Sequence, residues 1–159
     1  MTEASAYHEA GHALLGVLSG ATVLSVTIDP DWDDGPRRYG DTQLEWPVDV
    51  TQNRDWLEKS ILVALAGPVA EMIYSGDPFH PGLVPEWASD WQLAWEAAAS
   101  VIPDDRRRLK WLEDCTRTLH RLLSTDDHWS ALAALADHLL AHETLEAEDV
   151  AEILEYWLG

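Results

Sequence analysis

His8, Glu9 and His12 stand in one five-residue stretch, His8-Glu-Ala-Gly-His12. On a helix, residues four apart lie about 40° apart around the axis and one turn along it, so both imidazoles leave the same face. Two neutral imidazoles presented this way make half of a tetrahedral zinc site, with room for a third protein ligand and a water. Glu9 cannot aim at the same centre, but it can reach a water held there, which is where a general base belongs. A zinc ion would bring the water's pKa toward neutrality and polarise a carbonyl, and Glu9 would accept the proton. This is the chemistry of a metallopeptidase. The same five residues could also be an ordinary buried histidine pair on a helix.

The chain carries its own control. His138 and His142 have the same spacing on a second helical stretch, but Asp137 precedes the pair and Leu139 follows the first histidine. Lacking a glutamate after the first histidine, that pair reads as part of an amphipathic helix surface, with stray metal affinity at most.

These residues need elements to position them. Thr2 to Leu18 is rich in alanine and leucine, which predicts a helix with Thr2 as its cap and Gly20 as its stop. Ala21–Ile28 is β-branched and predicts a strand. Asp29–Pro36 is an acidic, turn-forming loop, and Tyr39–Trp46 predicts a second strand, antiparallel to the first and ended by Pro47. Such a sheet could lend an edge to an extended peptide or simply act as scaffold. Helices are predicted over Asn53–Ser75, with a kink or break at Gly67-Pro68, and over Glu86–Ile102, stopped by Pro103. The loop Gly76–Pro85 separates them. Three more follow, at Asp104–Leu123, Asp127–Ala141 and Ala147–Leu158, with Ser124, Thr125 and Thr144 as caps. The basic run Arg106-Arg-Arg-Leu-Lys110 reads as a solvated helix face. The fold class is therefore mainly α with a small β-sheet (α+β): a metal helix, a β-hairpin and a helical bundle, in one domain over residues 1–159.

Composition narrows the function classes. With 29 acidic and 10 basic residues the formal charge is −19, a surface that repels phosphate backbones and excludes nucleic acid as a natural partner. No run of 18 or more apolar residues occurs and no signal pattern precedes the first helix, so neither a membrane span nor export is expected. A lone Cys115 excludes an internal disulfide and fits a reducing cytoplasm. Most of the nine tryptophans should be core, although Trp32, Trp46 and Trp87 fall in less regular stretches and could line a cleft.

Two carboxylates compete to be the third ligand. Glu71 sits in an otherwise apolar stretch, Val69-Ala-Glu-Met-Ile-Tyr74, where a carboxylate needs a charged or metal partner. Asp90 lies near the start of an Ala- and Trp-rich helix, and spacing does not choose between them. The order His8-Glu-Ala-Gly-His12, Leu65-Ala-Gly-Pro-Val-Ala-Glu-Met-Ile-Tyr-Ser-Gly76 and Ala88-Ser-Asp-Trp-Gln-Leu-Ala-Trp-Glu-Ala97 resembles the peptidase domain of FtsH-type ATP-dependent zinc proteases. Gly40-Asp-Thr-Gln43 is similar to that family's Gly-Tyr-Thr-Gln strand, and His142-Glu-Thr-Leu-Glu-Ala-Glu-Asp-Val150 to its closing segment. The resemblance spans nearly the whole chain in order. It implies His8, His12 and Asp90 as zinc ligands, Glu9 as the base, and Glu71 as a carboxylate steadying a ligand histidine.

The sequence departs from that family in having Gly67-Pro68-Val69 for its Gly-x-Arg and Pro85-Glu-Trp-Ala88 for its Gly-Ala segment. Family members carry membrane spans and an ATPase module ahead of the peptidase, whereas here Met1 lies directly before the metal helix. With no nucleotide-binding motif in these residues, the expected substrates are flexible or unfolded polypeptides, and stable ones would need a separate ATPase partner. These departures leave the family's hexameric ring, and the oligomeric state altogether, open. Two other readings stand beside the peptidase: a catalytically silent metal-binding interaction domain that keeps the fold, and a zinc hydrolase of a non-peptide amide. Glu9 argues against the first, because a purely structural site needs no base.

Overall fold

A computed structural model describes residues 3–29, 42–47, 54–76 and 87–159. The elements run α1 (Glu3–Leu18), β1 (Thr22–Thr27), β2 (Thr42–Glu45), α2 (Arg54–Ser75), α3 (Ala88–Ala98), α4 (Asp105–Leu123), α5 (Asp126–His142), β3 (Thr144–Glu146) and α6 (Ala147–Leu158). The chain is thus mostly helical with one small antiparallel sheet. Thr2, Trp32, the start of the second predicted strand at Tyr39, and the loops Asp29–Pro36 (beyond Asp29) and Gly76–Pro85 (beyond Gly76) lie outside the described residues.

Helix α1 is the central element. It packs most extensively against α2 and then α5, and both β1 and β2 lie against it. Its buried face is built from small side chains, with Ala6, Ala10 and Ala13 fully buried beside Leu14. Small residues let the backbones approach, and Gly11 shows how closely: a Cβ there would stand 2.5 Å from the Ala66 carbonyl oxygen and 2.8 Å from the Ala70 Cβ. The α1–α2 contact at this level has room for no side chain. Leucines supply most of the remaining core, with Leu112, Leu119 and Leu123 of α4 and Leu132, Leu135 and Leu139 of α5 almost wholly removed from water. Each contributes roughly 1.5–3 kcal/mol of hydrophobic stabilisation.

Four elements differ from the sequence-based expectation. Helix α2 runs unbroken from Arg54 to Ser75 with Pro68 inside it. Proline forfeits one helical hydrogen bond and crowds the preceding turn, but Ile61, Val63–Ala66, Val69 and Ala70 are all buried on both sides of it. Tertiary packing outweighs the local penalty. Helix α3 ends at Ala98 instead of reaching Ile102.

Thr144 belongs to a third strand and caps no helix. Glu143 takes a left-handed backbone (φ 67°) at the end of α5, which turns Thr144–Glu146 back alongside β1, pairing Thr27 with Thr144 and Ser25 with Glu146. The sheet order is β2-β1-β3. The N-cap of α6 is instead Glu146, in a reciprocal capping box with Asp149. Finally, the basic run is not uniformly solvated. Arg108 is buried, donating from Nε to the Ile102 carbonyl and from Nη2 to the Pro103 carbonyl, each at 2.9 Å, with its guanidinium 4.4 Å above the Trp95 ring. It closes the α3–α4 connection, satisfying carbonyls that the turn leaves open.

Among the described residues no helix is long and apolar enough to cross a membrane.

Candidate metal centre

Three helices bring the ligand candidates together. His8 and His12 leave α1 one turn apart, their rings 4.8 Å between centroids and inclined at 74°. Asp90 comes from the first turn of α3, where the helix N-terminus favours a negative charge. Its Oδ2 lies 2.8 Å from His8 Nε2 and 3.5 Å from His12 Nε2. All three residues are buried, at 8%, 0% and 5% exposure. Among the described residues, this is the one group of three or more metal-ligating side chains whose donor atoms all fall within 4.8 Å of one another.

The second nitrogen of each ring decides which nitrogen faces the centre. His12 Nδ1 donates to the Val63 carbonyl of α2 at 2.8 Å. His8 Nδ1 donates to Glu71 Oε1, also of α2, at 3.0 Å. Both Nε2 atoms are thereby turned toward Asp90, the arrangement in which outer partners orient metal-bound histidines. Glu71 thus meets His8 on the side away from Asp90 and stands outside the three-residue cluster.

Charge follows the geometry. Burial works against protonating His8, but its bonds to Asp90 and Glu71, with Glu9 nearby, raise its pKa to about 10. Burial likewise works against ionising Asp90, and His12 and His8 outweigh it, holding the carboxyl well below the usual carboxylate range. A buried pocket that draws positive charge this strongly suits a cation.

The donor set fits zinc in number and kind, since two imidazoles and one carboxylate leave a fourth position open in a tetrahedral shell. Ligand atoms about 2 Å from a zinc ion stand roughly 3.3 Å apart in such a shell; the two separations from Asp90, 2.8 and 3.5 Å, bracket that value, and all the donor atoms lie within 4.8 Å of one another. Gly67 adds a steric argument. A Cβ at Gly67 would come within 2.6 Å of His12 Cε1 and 2.8 Å of His8 Nε2, displacing both imidazoles. Glycine at this point of α2 keeps the space beneath the two rings open.

Glu9 is buried beside the cluster without joining it. Its Oε1 accepts a hydrogen bond of 2.8 Å from the Thr42 hydroxyl of β2, and Thr42 is itself fully buried. Sequence reasoning singled out neither Thr42 nor Gly67 as a site residue. For Thr42 the available signal was its place in the Gly40-Asp-Thr-Gln43 segment, and for Gly67 a glycine in an otherwise apolar helix.

The other candidates go elsewhere. His138 and His142 are exposed on α5, their rings 6.0 Å apart and nearly parallel. They border a depression of about 810 Å3 whose other walls include Asp149, Glu152 and Trp157. Trp87 is buried at the head of α3, and Trp46 packs edge-on against Trp56 at 6.3 Å. No protein-family model matches this chain, and no curated protein matches it.

Proposed function

We propose that the chain is a zinc-dependent metallopeptidase of the FtsH-peptidase type, hydrolysing peptide bonds in flexible or unfolded polypeptides. The observation that carries this reading is the convergence of His8 Nε2, His12 Nε2 and Asp90 Oδ2, with the Glu9 carboxylate buried alongside. His8, His12 and Asp90 would hold a zinc ion, which would supply Lewis acidity and lower the pKa of the attacking water. Glu9 takes the proton of the attacking water and delivers it to the departing amine. Glu71 and the Val63 carbonyl hold the two imidazoles in the orientation that binding needs. Among the described residues strand β2 is an outer strand of the sheet, and its edge would offer an extended substrate a main-chain partner close to the base. The charge of −19 favours basic substrates, and the lone Cys115 suits the reducing cytoplasm. Action on flexible chains needs no nucleotide, so casein or short peptides should be cut without ATP.

Glu9→Gln is the discriminating experiment. General-base catalysis contributes about 10²–10⁴-fold in rate, so peptide hydrolysis should fall by at least the lower figure while zinc content and folding stay at the parent level. Loss of zinc from Glu9→Gln would make Glu9 a ligand and overturn the mechanism. A fully zinc-loaded parent inert toward a broad peptide library would leave the silent metal-binding domain as the better reading.

A further inference from the structure

We infer that Thr42 is the positioning residue for Glu9, and that the small sheet exists in part to deliver it. The inference deepens the peptidase reading and rests on it.

Glu9 is 8% exposed and Thr42 0%. A carboxylate that far from water needs a donor, and the Thr42 hydroxyl supplies one to Oε1 at 2.8 Å. The same hydroxyl lies 3.3 Å from the Glu9 main-chain carbonyl. It has one proton to give, and the shorter, charge-assisted bond to the carboxylate takes it.

The strand itself is fixed in place. Thr42 pairs with Val26 of β1, and Val26 is fully buried. Two residues on, Leu44 packs against Gly16, where a Cβ would come within 2.9 Å of its side chain. Gly16 lies two turns beyond Glu9 on the same helix, so β2 is seated on α1 at two points and its hydroxyl cannot drift relative to the carboxylate. His8 and His12 bond to α2 through their Nδ1 atoms, whereas the Thr42 hydroxyl of the sheet bonds to Glu9. Removing that hydroxyl takes away neither of the bonds that orient the two imidazoles.

The test uses the full chain loaded with zinc. Misplacing a reacting group by about 1 Å costs on the order of 10²-fold in rate. Thr42→Val, which keeps shape and removes the donor, should lower kcat on a fluorogenic peptide by about 10–100-fold, with KM and zinc content within about twofold of the parent. Thr42→Ser, which restores the hydroxyl, should recover kcat to within about threefold. Placed on Glu9→Gln, Thr42→Val should cost little more, because its effect passes through Glu9. An active parent whose Thr42→Val variant keeps full kcat overturns the inference and leaves the peptidase reading intact. So does a Thr42→Ser variant as impaired as Thr42→Val, which would make Thr42 a packing residue. A thermal-unfolding cycle of Thr42→Val with Glu9→Ala reads the contact without turnover: shifts smaller in combination than their sum support the bond, and strictly additive shifts overturn it. An inert parent would remove the peptidase reading and the positioning role together, even if the cycle showed the two side chains coupled.

Discussion

Two histidine pairs with identical spacing sit on two helices of this protein, and their surroundings differ in every respect that bears on metal binding. His8 and His12 are buried at the meeting of α1, α2 and α3. The second nitrogen of each ring is bound to an oxygen of α2, and a carboxylate from α3 faces both Nε2 atoms. His138 and His142 lie exposed on α5, stacked on each other beside a depression of about 810 Å3. Spacing brings two imidazoles to one face, but burial, bonded second nitrogens and a third donor from elsewhere in the fold make that face a candidate site.

The comparison can be broken most severely at Gly67. Gly→Ala inside a helix ordinarily gains up to about 1 kcal/mol, but at Gly67 the added methyl must displace the two imidazoles. Overpacking of that kind costs about 1–3 kcal/mol. Gly67→Ala should therefore lower the unfolding midpoint and abolish stoichiometric zinc uptake. A variant that keeps its zinc would show that the rings do not need that space.

Next in size come the two carboxylates that sequence alone could not rank. Asp90→Ala removes a donor of the cluster and should strip the metal. Glu71→Ala frees His8 Nδ1 and should weaken zinc binding by about 10–100-fold, in line with the loss of an outer partner. Equilibrium competition with a chelator measures both, and the reverse ranking would exchange the roles of the two residues.

How much of this was legible in the sequence follows from the range of the interactions concerned. The first helix and its histidine pair were readable because histidine spacing and helix periodicity are local. So were the outer helices, whose leucines repeat with the helical period. Pro68 does not break α2, because the burial of Ile61, Val63–Ala66, Val69 and Ala70 outweighs its local penalty. Strand β3 was missed because three residues behind a left-handed Glu143 carry no periodicity, and pairing with β1 alone makes them a strand. Arg108 lay inside a run whose other members are exposed, and the Ile102 and Pro103 carbonyls that recruit it cannot be seen in composition. At the site, Asp90 and Glu71 approach His8 from 82 and 63 residues away. Spacing could nominate both, but only the fold sorts them onto opposite sides of the ring.

A smaller effect sharpens the comparison by reporting whether loss of metal loosens the whole bundle. Cys115 lies on α4, which carries neither pair. Burial pushes its thiol up to about 11, with Asp114 and Glu58 adding to the shift. The thiolate is the reactive form, so alkylation at pH 8 should be about 100-fold slower than for an exposed thiol, with the rate climbing until the pH approaches 11. Asp90→Ala should leave this slow rate unchanged, and His138→Ala should leave both the rate and the zinc content unchanged. Fast labelling of Asp90→Ala at pH 8 would mean that the variant lost its fold along with its metal.

The central claim is that one histidine pair of the two holds a metal, and zinc stoichiometry on paired variants measures it most directly. Metal analysis of the purified chain should find one zinc per molecule in the parent and in the double variant His138→Ala/His142→Ala, and none in His8→Ala/His12→Ala. Zinc retained by His8→Ala/His12→Ala, or lost with His138 and His142, would contradict the account.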